Sequence, residues 1–235
     1  MSVHRFVENT AAEAAQACAR QMITTLEQAL AGNDQATLAV SGGRSPIPVF
    51  AALAASGLPW DRLHLFLVDE RCVPPNDQQS NGRMIEEAFI APARFPHRNF
   101  HRVHTELPPG RAADQYARDI RHVFALESGQ MPVFDLIHLG MGPDGHIASL
   151  FPGDPLIDDR DHIAEAAYVE KLTQWRVTLL AGVLLQARHT VVFAPGRDKS
   201  DVTRRVFEDD FDPRALPAQI PAHLGRGVSW FSSTD

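Results

Sequence analysis

Cysteine is scarce in this 235-residue chain: Cys18 and Cys72 cannot build a disulfide framework or a four-cysteine metal site. Two partly buried thiols in a reducing compartment are the plain reading. No apolar run approaches membrane-spanning length, and the opening MSVHRFVENTAAEAA has no apolar core of the signal-peptide kind. A cytoplasmic protein with no membrane partner is expected. Long basic runs are also missing. The 22 Lys and Arg stand against 29 Asp and Glu, a net charge of −7, which argues against nucleic acid as a partner. A chain of this sign must hold an anion with a local cluster, so isolated basic residues in loops gain weight. Internal repeats, low-complexity tracts and domain-separating linkers are absent as well. One domain over 1–235 is the simplest organisation, and its 44% of hydrophobic residues suffices for a real core.

What is present is alternation. Strand-like apolar runs take turns with helical patterns, which predicts an α/β fold with a mostly parallel sheet and covering helices. Thr10 to Ala31 reads as an amphipathic helix, stopped by Gly32-Asn33-Asp34. Ala36 to Ser41 is a short strand, after which Pro46 opens a helix. Leu63 to Glu70 reads as one strand with its carboxylates at the C-terminal end. A helix follows near Met84 to Ala91, a short strand at Asn99 to Val103, a helix at Arg111 to Leu126 and a strand at Val133 to Leu139. Asp161 to Val169 and Arg176 to Leu185 fit strand or helix equally. His189 to Ala194 and Val228 to Phe231 read as strands, and Asp198 to Phe207 as a helix.

Beyond the Val133 run comes GMGPDGHIASLFPG, whose Gly140, Gly142 and Gly145 spell G-x-G-x-x-G, the written form of a dinucleotide-binding turn. That turn needs a long helix behind its last glycine, with the pyrophosphate at the helix N-terminus. Here only HIASLF precedes Pro152, Gly153 and Pro155, which break a helix of crossover length. Glu165 lies near the ribose-binding spacing, but Asp144 would set a carboxylate against the pyrophosphate. No dinucleotide cofactor is expected. The same turn can present side chains beyond a strand end, where open α/β sheets put their ligands. Asp144 can orient the His146 imidazole, which is matched to taking a proton from water near neutral pH. The plainer alternative has Asp144 capping a short helix with His146 packed beside it.

Two further strand ends carry chemistry. In SGGRSP, Gly42 and Gly43 let backbone N–H groups approach a phosphate, with hydroxyls from Ser41 and Ser45 and Arg44 between them. The alternative is an ordinary turn with Ser45 as N-cap. No G-K-[ST] follows, which argues against a nucleoside triphosphate. In DER, Arg71 can meet a substrate anion or a developing oxyanion and Asp69 substrate hydroxyls, against the alternative of a surface ion pair. Lys199 in GRDKS can pair with a phosphate, or simply be solvated at a helix start, and Arg176 is a weaker candidate of the same kind. His101 and His104 lack a third ligand, so no metal is expected. There is no G-x-S-x-G elbow for a serine acyl-enzyme.

Together, SGGRSP, VDERCVPPNDQQSN, GMGPDGHIASLFPG and GRDKS, in this order, resemble the 6-phosphogluconolactonase family, related to the glucosamine-6-phosphate deaminases. The resemblance runs from about residue 10 to the VSWF end. It implies a modified doubly wound, Rossmann-like fold with helices on both faces, and hydrolysis of 6-phospho-D-glucono-1,5-lactone without a cofactor. The substrate is the one partner implied; monomer and small homo-oligomer stay open. By position, the family's general base falls on His146 with Asp144 beside it. The phosphate loop falls on Ser41 to Ser45, the motif arginine on Arg71 and the phosphate-pairing lysine on Lys199. Three departures stand out: Arg44-Ser45 in place of a small residue and threonine, Gly82 in place of an aromatic residue, and Ile147 in place of threonine. The deaminases use a glutamate shortly after the histidine in sugar ring opening. The matching residue here is Phe151, which favours the lactonase over a deaminase or isomerase; a non-catalytic sugar-phosphate sensor is the remaining alternative.

Overall fold

The computed structural model describes residues 3–235. In chain order its elements are β1 (His4–Glu8), α1 (Ala11–Gly32), β2 (Ala36–Val40), α2 (Ile47–Ala54), β3 (Leu63–Leu67) and β4 (Asp69–Arg71). There follow α3 (Asn81–Ile85), a π-helical turn Glu86–Ile90, α4 (Ala91–Ala93), β5 (Phe100–His101), α5 (Pro109–Val123) and β6 (Leu136–Gly140). The last third holds β7 (Ala164–Val169), β8 (Gln174–Leu179), α6 (Ala181–Gln186), β9 (His189–Phe193), α7 (Ser200–Glu208) and β10 (Val228–Ser233).

Seven strands form one sheet in the order β1-β10-β9-β6-β2-β3-β5, with every neighbouring pair parallel. Helices cover both faces, as the alternation of apolar runs predicts. Strand periodicity sorts the side chains between two cores. Leu38, Val40, Leu65 and Leu67 point into one layer with α1 and α2, while Ala39 and Phe66 point into the other with α5. The apolar stripe of α1, Ala15, Cys18, Met22, Leu26 and Leu30, recurs at helical spacing and is buried. Its start is fixed by a capping box: the Thr10 hydroxyl accepts from the Glu13 N–H and the Glu13 carboxylate accepts from the Thr10 N–H. Truncating a fully buried strand residue such as Leu38 to alanine removes roughly 2–5 kcal/mol.

The continuous reading of Leu63 to Glu70 needs correction, since the chain changes sheets at Val68. The Val68 N–H still donates to the Val40 carbonyl, but its own carbonyl accepts from Leu179. Asp69, Glu70 and Arg71 thus leave the main sheet as β4 of a small antiparallel sheet, β4-β8-β7. Arg176 to Leu185 resolves into both of its readings, β8 and then α6. The HIASLF segment forms no helix; Ile147 makes isolated bridges to Met141 and Leu150 instead. The edge strand β1 has an exposed, polar pattern that apolar periodicity does not reveal.

Candidate active site

Strand order reverses between β2 and β6: from β2 the chain moves toward β3 and β5, then returns to β6 on the other side and moves on to β9. Ligands of open α/β sheets bind beyond the strand ends at such a point. An open cleft of about 610 Å³ lies there, lined by the Ser41–Ser45 loop, Asp69, Arg71, His146, Arg176 and Lys199. The structure therefore brings together the ends of both central strands, the small sheet and the start of the Lys199 helix.

The turn after β6 carries the tightest geometry. The His146 ring Nδ1 lies 2.5 Å from Asp144 Oδ1, and the His146 backbone N–H donates to the same oxygen at 3.3 Å. With no helix there, Asp144 is not a helix cap. Gly142 makes the arrangement possible, because a Cβ on it would lie 2.1 Å from the His146 ring. Gly145 sits at φ +79°, a left-handed turn that reverses the chain between the two functional side chains. Two glycines of the dinucleotide spelling thus serve the Asp144–His146 pair.

Burial opposes ionisation of Asp144, but hydrogen bonds from His146 and Lys171 outweigh it and hold the carboxyl well below its ordinary value. An ionised carboxylate only accepts, so His146 Nδ1 carries a proton, and the neutral tautomer this selects has its lone pair on Nε2. Phe151 stacks on the imidazole with ring centroids 4.1 Å apart and planes 27° off parallel. The Lys171 ammonium bonds the other Asp144 oxygen and sits 4.4 Å from the Phe151 ring centre, a cation–π contact. Imidazole, carboxylate, ammonium and phenyl ring form one closed cluster.

Across the cleft, Asp69 is buried and accepts from the Ser149 hydroxyl at 2.7 Å, with Arg176 Nη1 at 3.6 Å. This is an interior ion pair and not the surface pair of the plainer reading. Arg71 lines the cleft while its Nη1 donates to the Gln79 carbonyl at 2.6 Å. Its neighbour Glu70 is the hidden support. One of its oxygens accepts from the Arg71 and Asn81 N–H groups, the other from the Gly82 N–H and the Ser80 hydroxyl. Burial still pushes its pKa up against these four bonds. Glu70 ties β4 to the start of α3 and so fixes where Arg71 leaves the strand.

The Ser41–Ser45 loop borders the cleft with Gly43 at φ +104°, and Arg44 is exposed at its rim. Ser45 does not cap α2, whose N-cap is Pro46 with no side-chain bond. The Ser41 hydroxyl is buried and unpartnered among the described residues. Lys199 is partly buried, which lowers its pKa.

Two site residues escape a reading by motif: Glu70, within DER but behind it, and Lys171. A signal for the second existed, because the chain has only two lysines: Lys199 lines this cleft and Lys171 bonds Asp144 beside it.

Comparison with known proteins identifies the family. The profile of the family described as Glucosamine-6-phosphate isomerases/6-phosphogluconolactonase spans residues 9–230. The chain belongs to that family. A 6-phosphogluconolactonase from Synechocystis sp. is 36% identical over 198 residues, covering 84% of this chain and 82% of that protein. One from Thermotoga maritima is 34% identical over 214 residues, 88% and 89% of the two chains. The crystal structure of the Thermotoga maritima enzyme superposes with a TM-score of 0.86 at 30% identity, over 99% of this chain and all of that one. A monomeric glucosamine-6-phosphate deaminase shares the fold, with a TM-score of 0.82 at 16% identity. Both activities of the family description thus occur on this architecture, and the site must separate them.

Proposed function

We propose that the chain is a 6-phosphogluconolactonase, hydrolysing 6-phospho-D-glucono-1,5-lactone to 6-phospho-D-gluconate in the oxidative pentose phosphate pathway. The carrying observation is the contact between His146 and Phe151. The family's ring-opening chemistry needs an acid near this histidine, and here the face of the imidazole is covered by an apolar ring. A base oriented by Asp144 remains, which is what lactone hydrolysis needs.

In this reading the Ser41–Ser45 loop and Lys199 hold the substrate phosphate, and the lactone carbonyl lies over His146. Nε2 of His146 takes a proton from water, and the hydroxide adds to C1. Negative charge develops on the carbonyl oxygen, where Arg71 or backbone N–H groups stabilise it. The C1–ring oxygen bond then breaks, and the proton on Nε2 passes to the departing oxygen. Asp69 orients Arg176 from within, and both shape the wall that faces substrate hydroxyls. Lactones already hydrolyse in water, so positioning and one base are sufficient. The proposal takes 1–235 as one unit acting in the cytoplasm. Its support is the pair of free cysteines and the absence, among the described residues, of any helix long and apolar enough to cross a membrane.

The test is the decay of enzymatically generated 6-phosphogluconolactone, run beside glucosamine 6-phosphate. Accelerated lactone decay without ammonia release is the expected result. Decay at the buffer rate overturns the proposal, and ammonia release would assign the deaminase.

A further inference from the structure

The floor of the cleft carries an imidazole that the reaction above does not use. His138 lies on β6, in register with Val40 of β2 and Val191 of β9. Its ring packs edge-on against Phe50 of α2, centroids 5.4 Å apart, and tilted against Phe193 at 6.4 Å. The ring is fully buried, and neither nitrogen has a hydrogen-bond partner. Aromatic packing satisfies its faces and edges but not its nitrogens. An unpaired buried polar group costs about 1–3 kcal/mol, and apolar leucine would fill the same layer without that cost.

The reason lies one row higher. Side chains of a strand return to the same face every second residue. Above His138 on that face stands Gly140, and two residues beyond Val40 stands Gly42. A Cβ on Gly140 would meet nothing within 4 Å, because it would project into the open cleft. The row is therefore open above His138, whereas beyond Val40 the place at Gly42 is filled by the Asn81 side chain, 2.0 Å from where a Cβ would stand. The cleft is lined here by His138 below Gly140, with Phe193 on one side and Asn81 on the other. The His138 carbonyl also accepts from the Ser41 N–H at 3.0 Å, which ties this residue to the first residue of the anion loop. The unpartnered hydroxyl of Ser41 lines the same cleft.

We propose that His138 is a substrate-binding residue whose ring N–H donates to a phosphate oxygen of a sugar phosphate seated between the Ser41–Ser45 loop and Lys199. The inference rests on the sugar-phosphate reading of this cleft and adds a donor to it. Burial pushes the imidazole down to about 4, so at neutral pH it brings an N–H without a second positive charge beside Lys199. A phosphate dianion presents only acceptors, and a neutral donor suits it.

Inorganic phosphate is the probe that does not depend on turnover. In ring-15N-histidine-labelled wild-type protein, titration with phosphate at constant ionic strength should shift the His138 nitrogens as the site saturates. His138→Leu suits the apolar layer, and it should raise KM for the phosphorylated lactone and Ki for phosphate roughly tenfold. Its kcat should stay within about twofold, its turnover of unphosphorylated glucono-1,5-lactone should be unchanged, and His138→Gln should recover part of the loss. Ring signals that stay fixed at saturating phosphate, or a folded His138→Leu with unaltered KM and Ki, would overturn the assignment and leave a core histidine. Should His138→Leu not fold, the wild-type titration alone decides. Failure of the wild-type protein to hydrolyse lactone would sink the functional proposal, while the phosphate titration would still answer for His138.

Discussion

The two ends of the cleft are built differently. At the base end the Asp144 carboxylate is partnered on both oxygens within the protein, by His146 Nδ1 and by Lys171, with Lys171 over Phe151 and only His146 Nε2 left open. At the anion end the Ser41 hydroxyl and both His138 nitrogens are buried and unpartnered. The first end is preorganised, with its donor and acceptor roles set before anything binds. The second is completed by its ligand. On the proposed function, reaction geometry would be a property of the folded chain, and affinity for the phosphate a property of the complex.

The sharpest way to break this contrast is His146→Ala. It should lower kcat for lactone hydrolysis by about 10²–10⁴ with little change in KM, measured on protein whose circular dichroism matches wild type. A matching rise in KM would show that the base end also binds. At the other end, Lys199→Ala should act through KM, raising it roughly 10–100-fold for the phosphorylated lactone and sparing the unphosphorylated one.

Acid should find the two ends in a set order. His138, with its ordinary value of 6.5 pushed down to about 4, stays neutral in the fold but takes a proton in the unfolded chain. Stability therefore drops as pH falls from about 6.5 towards 4, by about 3 kcal/mol from this residue, and urea midpoints for His138→Leu should show a correspondingly flatter profile. His101, pushed down to about 4 by burial and by neighbouring His64, adds a second contribution of the same sign. Asp144 acts with the same sign but at lower pH. Its depressed pKa gives stability that is fully present above its ordinary value of 3.8 and is lost only on further acidification. The anion end should loosen first. The smallest effect is expected from Lys171→Met, about 3–10-fold in kcat, with Lys171→Arg retaining most of the activity if the cation's role is to hold Asp144.

Much of this was legible because it is local. The Gly140–Phe151 turn and the Ser41–Pro46 turn each carry their functional residues within a few positions, and strand alternation announces a parallel sheet. What escaped is what the fold assembles from a distance. Lys171 reaches Asp144 across 27 positions, carried by the β7–β8 hairpin out of a segment whose pattern fits helix as well as strand. The break at Val68 hides inside an uninterrupted apolar run, since both sides of it are buried and only the change of hydrogen-bond partner marks it. His138 hides for a related reason, as one polar letter in VFDLIHL whose meaning depends on Gly140 two residues on and on the cleft beyond it.

The scarcity of lysine has a chemical consequence. A lactone is an acyl donor, and free amines are the side chains it would modify. Of the 22 basic residues all but two are arginines, whose guanidinium groups stay protonated and offer no lone pair. The Lys171 side chain is engaged by Asp144, and a bound phosphate dianion would engage Lys199 in the same way. On the proposed function, the molecule therefore handles an electrophilic ester with almost no side-chain amine of its own in reach, leaving imidazole as the nitrogen base that meets water.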